Sequence, residues 1–150
     1  MFMFFFAEFT AFGIYGWRTH KLAMILNSFL GLGYLVMYFV ATSQPDKKKR
    51  TWKHFLSLAA IPLMVVFPRP EVLMSFLLVI ANATLLESPW KIYFARSRGS
   101  VELIYLQMFG LSAAFWAGYG WSVGDQVIFY SALCSTVITG VTIALWYRYK

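Results

Sequence analysis

Asn82 is the one amide in the apolar run that ends near Leu86, and Ser75, Asn82 and Pro89 recur at every seventh residue. That spacing puts the three on one face of a helix. Further on, Ser131, Ser135, Thr139 and Thr142 follow at intervals of four, four and three, a hydroxyl stripe on one face of another helix. Trp116 and Tyr119, three residues apart, set two rings on a third. An amide, a row of hydroxyls and a stacking ring suit a neutral polar solute such as a sugar. The candidate solute-binding residues are therefore Asn82, Trp116, Tyr119, Ser131 and Ser135. The same residue types also join helices: an interhelical amide bond in an apolar setting is worth about 0.6–2 kcal/mol, and small hydroxyl residues let backbones approach. The residues alone leave both roles open.

Other chemistry is sparse. Glu8 interrupts the first apolar run and can serve as a proton or ion-pair site. If that helix is short or lies at a surface, its carboxylate simply reaches water. His20 and His54 stand apart with no cysteine or carboxylate pattern beside them, so no metal site is expected. Cys134 is the only cysteine, which excludes a disulfide within the chain and a thiolate metal cage. There is no nucleophile elbow, phosphate-cradling loop or carboxylate pair. The expectation is a protein that is not an enzyme and needs no cofactor.

The elements that must position these groups follow from composition. Of the 150 residues 60% are hydrophobic, 20% aromatic and only 13% charged, whereas soluble domains carry about a quarter charged residues. A spanning helix needs about 20 apolar residues. Six runs approach that length: Met1 to Trp17, Leu22 to Thr42, His54 to Phe67, Val72 to Leu86 or on to Trp90, Leu103 to Trp121, and Val127 to Tyr147. The expected fold is an all-α integral membrane protein of about six transmembrane helices in two three-helix units, 1–70 and 71–150. The opening MFMFFFAEF lacks the basic flank of a signal peptide and reads as a retained membrane helix.

The net charge is +7, yet the basic residues fill gaps between apolar runs instead of lining one face. That pattern points away from nucleic acid and toward anionic lipid headgroups. Lys47, Lys48, Lys49, Arg50 and Lys53 follow the second run, Lys91, Arg96 and Arg98 the fourth, and Arg148 and Lys150 the sixth. These ten of 13 basic residues fall on one side, which places both termini in the cytoplasm or an equivalent matrix. An internal echo links GIYGWRTHKLAMILNSFLGLGYLVMYF with KIYFARSRGSVELIYLQMFGLSAAFWAGYG. It suggests a degenerate inverted repeat of the two units.

From Ser75 to Lys150 the chain resembles a SemiSWEET or PQ-loop triple-helix bundle. Ser88-Pro89-Trp90 stands where that family has a Pro-Gln pair, and RSRGSV, Arg96 to Val101, matches its basic-serine turn. Trp116-Ala117-Gly118-Tyr119-Gly120 matches its W-x-x-Y-G helix ending, and Gly124-Asp125 the turn that follows. Two positions depart: Trp90 replaces the glutamine, and the family's substrate-contacting asparagine falls near Leu133. The resemblance implies a carrier that works by alternating access, with Pro89 as a hinge and two bundles associating within a chain or as a homodimer. Residues alone allow Pro89 to be a plain helix stop, with Trp90 and Tyr93 at the interface. The rival to a carrier is an accessory subunit of a larger membrane complex, such as a respiratory assembly, which keeps the fold while the solute site drifts.

Overall fold

A computed structural model describes residues 2–42, 58, 60–98 and 102–149. Every regular element among them is helical, and none is a strand. Two compact units divide the chain, Met1–Met74 and Ser75–Lys150. The runs of basic residues at Lys47, Lys48, Lys49 and Arg50, the turn residues 99–101, His54 and Lys150 lie outside the described residues.

In the first unit, α1 (Phe2–Arg18) packs against α2 (Leu22–Ser28), α3 (Leu30–Thr42) and α4 (Ala60–Val66). The second apolar run, expected as one helix, keeps a helical path with a local irregularity at Phe29, whose backbone stays right-handed helical. The Ser28 hydroxyl donates to the Ile25 carbonyl at 2.6 Å and so competes with the backbone ladder there. Short i,i−3 bonds from Phe29 to Leu26 and from Leu32 to Phe29 then carry the chain into α3. At the far end of α1, the Arg18 guanidinium donates to the carbonyls of Met64 at 3.1 Å and Phe67 at 2.6 Å. Pro68 and Pro70 follow α4, so its last carbonyls lack continuing N–H donors. Arg18 satisfies them.

In the second unit, α5 (Pro70–Leu85, of which Ser75 onward belongs here) leads straight into α6 (Glu87–Ala95). Then α7 (Leu103–Ser122) and α8 (Gln126–Arg148) form an antiparallel hairpin against which α6 packs. Of the two roles left open for Pro89, a plain helix stop is not what the chain shows there. The helical path runs on to Ala95 with a local irregularity at Leu86, where Trp90 N–H resumes the ladder to Leu86 O at 3.2 Å. Proline in the first turn of α6 removes an N–H that has no partner within that helix, which is why the chain tolerates it. The buried face continues through the break as Met74, Leu78, Asn82, Pro89 and Ile92. Pro70–Ala95 and Gln126–Arg148 are long and apolar enough to cross a membrane.

The turns after α1 and α7 share one geometry. After α1, Lys21 N–H bonds Gly16 O at 2.7 Å and His20 N–H bonds Trp17 O at 3.3 Å. After α7, Asp125 N–H bonds Gly120 O at 2.8 Å and Gly124 N–H bonds Trp121 O at 3.2 Å. Both are Schellman caps, with His20 (φ 57°) and Gly124 (φ 68°) in the left-handed position. Both follow a Tyr-Gly-Trp triplet, Tyr15-Gly16-Trp17 and Tyr119-Gly120-Trp121, at one constant offset along the chain. The echo read from sequence aligned the α1–α2 turn with the α6–α7 connection instead; the bonding pattern pairs the first hairpin with the last, in the same chain order.

Where the second turn has glycine, the first has histidine, and a side chain there costs about 1–2 kcal/mol of backbone conformational energy. His20→Gly, at an exposed position, is therefore expected to leave the fold intact and raise stability by about 0.5–1 kcal/mol once the extra freedom of glycine in the unfolded chain is deducted. Thermal unfolding in detergent reads the effect, and a lowered Tm would refute the cap assignment.

Candidate functional site

Asn82 lies on the buried face of α5 at 8% exposure. Its Nδ2 donates to Ser131 Oγ at 2.9 Å and to the Leu78 carbonyl at 2.9 Å. Its Oδ1 accepts from the Ser135 hydroxyl at 2.7 Å. Ser131 and Ser135, one turn apart on α8, thus meet the two ends of one amide, the first as acceptor and the second as donor. The sequence stripe divides at this point. Ser131 and Ser135 face α5, while Thr139 packs on Gly110 of α7, where an added Cβ would stand 3.1 Å from its methyl group. Thr139 and Thr142 turn their hydroxyls back to the carbonyls of Ser135 and Ile138, which lets α7 and α8 close on small residues.

Trp116 and Tyr119 form an edge-to-face pair on α7 with ring centroids 5.4 Å apart, both half-buried. An added Cβ at Gly120 would meet Phe129, and one at Gly110 would meet Thr139. The antiparallel register between those two contacts sets Trp116 level with the turn of α8 that carries Ser131 and Ser135. The structure thus ties Asn82, Ser131 and Ser135 into one hydrogen-bonded group and puts the Trp116–Tyr119 pair at the same depth on the neighbouring helix. The Asn82 amide is taken up by protein partners. The Ser131 hydroxyl, half-buried, accepts from Asn82, and its own O–H finds no acceptor among the described residues.

Pro89 is buried on the same face, two turns beyond Asn82. It leaves the Leu85 carbonyl without the N–H that a regular helix would supply. Glu8 lies elsewhere, in the first unit, half-buried on α1 between the buried Ala7 and Ala11, and bonds to no described residue.

Arg96 and Arg98 are engaged with rings that their sequence positions gave no reason to expect. Arg96, in the left-handed cap of α6 (φ 51°), donates to the Tyr149 hydroxyl at 2.8 Å. Its guanidinium also sits over the rings of Tyr93 and Tyr149, at 5.3 Å and 5.2 Å. Arg98 stacks on Trp146 at 3.7 Å and its Nε donates to the Trp146 carbonyl at 3.2 Å. The ends of α6 and α8 therefore meet through cation–π contacts. The basic residues were visible in sequence; their aromatic partners, about fifty positions away, were not.

No protein-family model matches the chain, and no curated protein or solved structure gives a match.

Proposed function

We propose that the chain is an integral membrane protein with about six helices, a PQ-loop-like bundle in its second unit, and carrier activity toward a neutral polar solute. The observation that carries this reading is the half-buried Ser131 hydroxyl, which accepts from Asn82 but finds no acceptor for its own proton among the described residues. It lies on the turn of α8 that the helix register sets level with Trp116. A ring face and a hydroxyl that lacks an acceptor are complementary to a sugar or polyol, which offers C–H faces and hydroxyl groups. Alternating access would bend the α5–α6 path at Leu86, the one place in it where the backbone ladder is interrupted. Elements that absorb such motions are short and few in residue number. Both termini face the cytoplasm or a matrix in this reading, by the bias of basic loops.

The second reading, an accessory subunit of a larger membrane assembly, is supported by a different observation. Asn82, the central amide, is saturated by its own helices, as expected where polar groups serve to hold a bundle together. Large side chains such as Phe115 (72% exposed) and Trp121 (75% exposed) also offer apolar surface to lipid or to other subunits.

Gentle extraction from the native membrane, followed by mass measurement and reconstitution into vesicles, separates the two. The carrier reading expects a monomer or homodimer and saturable uptake from a panel of neutral sugars and polyols. Co-purification with a fixed set of other membrane proteins, and no uptake, would establish the subunit instead.

A further inference from the structure

The second unit gathers positive charge at one end. Arg96 and Arg148 lie over the same Tyr149 ring, at 5.2 Å and 5.7 Å, and Arg98 stacks beside them on Trp146. No carboxylate among the described residues pairs with any of the three. Glu87, the acid nearest along α6, is bonded to Lys91 at 2.6 Å instead. One donor is left over inside the cluster: Nη2 of Arg98 is buried and has no hydrogen-bond partner. A buried charged donor without an acceptor costs about 1–3 kcal/mol or more, so an arrangement that keeps one calls for an anion.

The shape narrows the choice. A planar guanidinium with free donors matches phosphate in a two-pronged geometry, and tyrosine and tryptophan sit where an apolar layer meets headgroups. From the Tyr93 ring under Arg96 the aromatic surface continues to Phe94, 5.3 Å away, and on to Trp90, 4.6 Å further, the last two exposed at 61% and 67%. An apolar surface that runs on from a basic cap fits a molecule with a phosphate at one end and hydrocarbon at the other.

We infer that Arg96, Arg98 and Arg148 form a binding site for the phosphate of an anionic phospholipid, whose acyl chains lie along Trp90 and Phe94. The inference rests on the membrane reading above and makes that end of α6 and α8 a fixed lipid contact. A rotation of the Arg98 side chain frees its covered Nη2 to donate to a phosphate oxygen, Arg148 supplies the second charge, and Arg96 holds Tyr149 across the two helix ends.

The test uses the full chain from carbonate-washed membranes, titrated in detergent with phosphatidylglycerol or phosphatidylcholine and followed by native mass spectrometry. Wild type is expected to retain one phosphatidylglycerol and to bind phosphatidylcholine at least tenfold more weakly. Arg98→Ala should lower phosphatidylglycerol binding tenfold or more. Arg148→Gln, at an exposed position, should lower it about fivefold, the effect of one interfacial charge. Lys91→Gln should leave it unchanged. Equal uptake of the two lipids by a chain that stays in the washed membrane would overturn the lipid site alone. Displacement of the lipid by millimolar inorganic phosphate would assign the cluster to a free anion and overturn it too. Release of the chain by carbonate would remove the membrane reading, and this site with it.

Discussion

Gly120→Ala is expected to destabilise the second unit by about 3 kcal/mol, at the upper end of what overpacking usually costs. A Cβ at that position would stand 2.6 Å from the Phe129 backbone nitrogen and 2.9 Å from its Cα. Both are backbone atoms of α8, so no side-chain rotation can make room. Either the hairpin opens or the turn bonds from Asp125 and Gly124 break. Gly118, two residues earlier on the same helix, is the internal control, because a Cβ there meets nothing within 4 Å. Gly118→Ala is expected to stabilise by up to about 1 kcal/mol through helix propensity alone. Denaturation of the two variants in one detergent checks the pair. Equal behaviour would mean that α7 and α8 do not approach as closely as the structure shows.

The second large effect concerns flux. If the chain is a carrier, Trp116→Ala is expected to reduce uptake by at least about tenfold, the equivalent of 1.4 kcal/mol at the limiting step. The ring supplies the apolar contact, with Tyr119 edge-to-face beside it at 5.4 Å. Ser131→Ala removes a single hydroxyl bond to an uncharged group, and about three- to tenfold is expected. Asn82→Ala should act differently. It releases Ser131 and Ser135 together and unties α5 from α8, so lost flux should come with about 1–2 kcal/mol of lost stability. A cycle combining Asn82→Ala with Ser135→Ala would measure the coupling between them. Unchanged flux in both Trp116→Ala and Ser131→Ala would eliminate the pocket, whatever the chain then proves to do.

Apolar runs announced most of the helices, and α7 and α8 begin and end within a residue or two of where the runs do. The boundaries there are marked chemically, by Gly124 in the cap and Asp125 accepting from Ile128 N–H at 3.1 Å. The Pro89 region was harder. Proline signals a helix end, but in an opening turn it costs little, and only the continued buried face through Ile92 shows which case applies. The irregularity at Phe29 beside Ser28 could not be read from hydropathy, because it accompanies one local hydrogen bond. Spacing placed Ser131 and Ser135 on one face. It could not reveal that Asn82 would use both hydroxyls, since that depends on the register of two helices some fifty residues apart. Nothing in the sequence around Arg18 marks it as the cap on α4 that it is.

The paired turns also imply an order of assembly. Gly16 with Ile25, and Gly120 with Phe129, are contacts between near neighbours in sequence, so each hairpin closes with little loss of chain entropy. Contacts of that kind form early and fast. The bonds that dock α5 and α6 onto α8 span far more chain: 49 residues for Asn82 to Ser131, 53 for Arg96 to Tyr149 and 48 for Arg98 to Trp146. The α7–α8 hairpin is thus expected to close first in its unit, although its residues are synthesised after α5 and α6, which must wait for it. During that interval the face bearing Asn82 lacks its α8 partners, and a chaperone or a neighbouring helix would have to cover it.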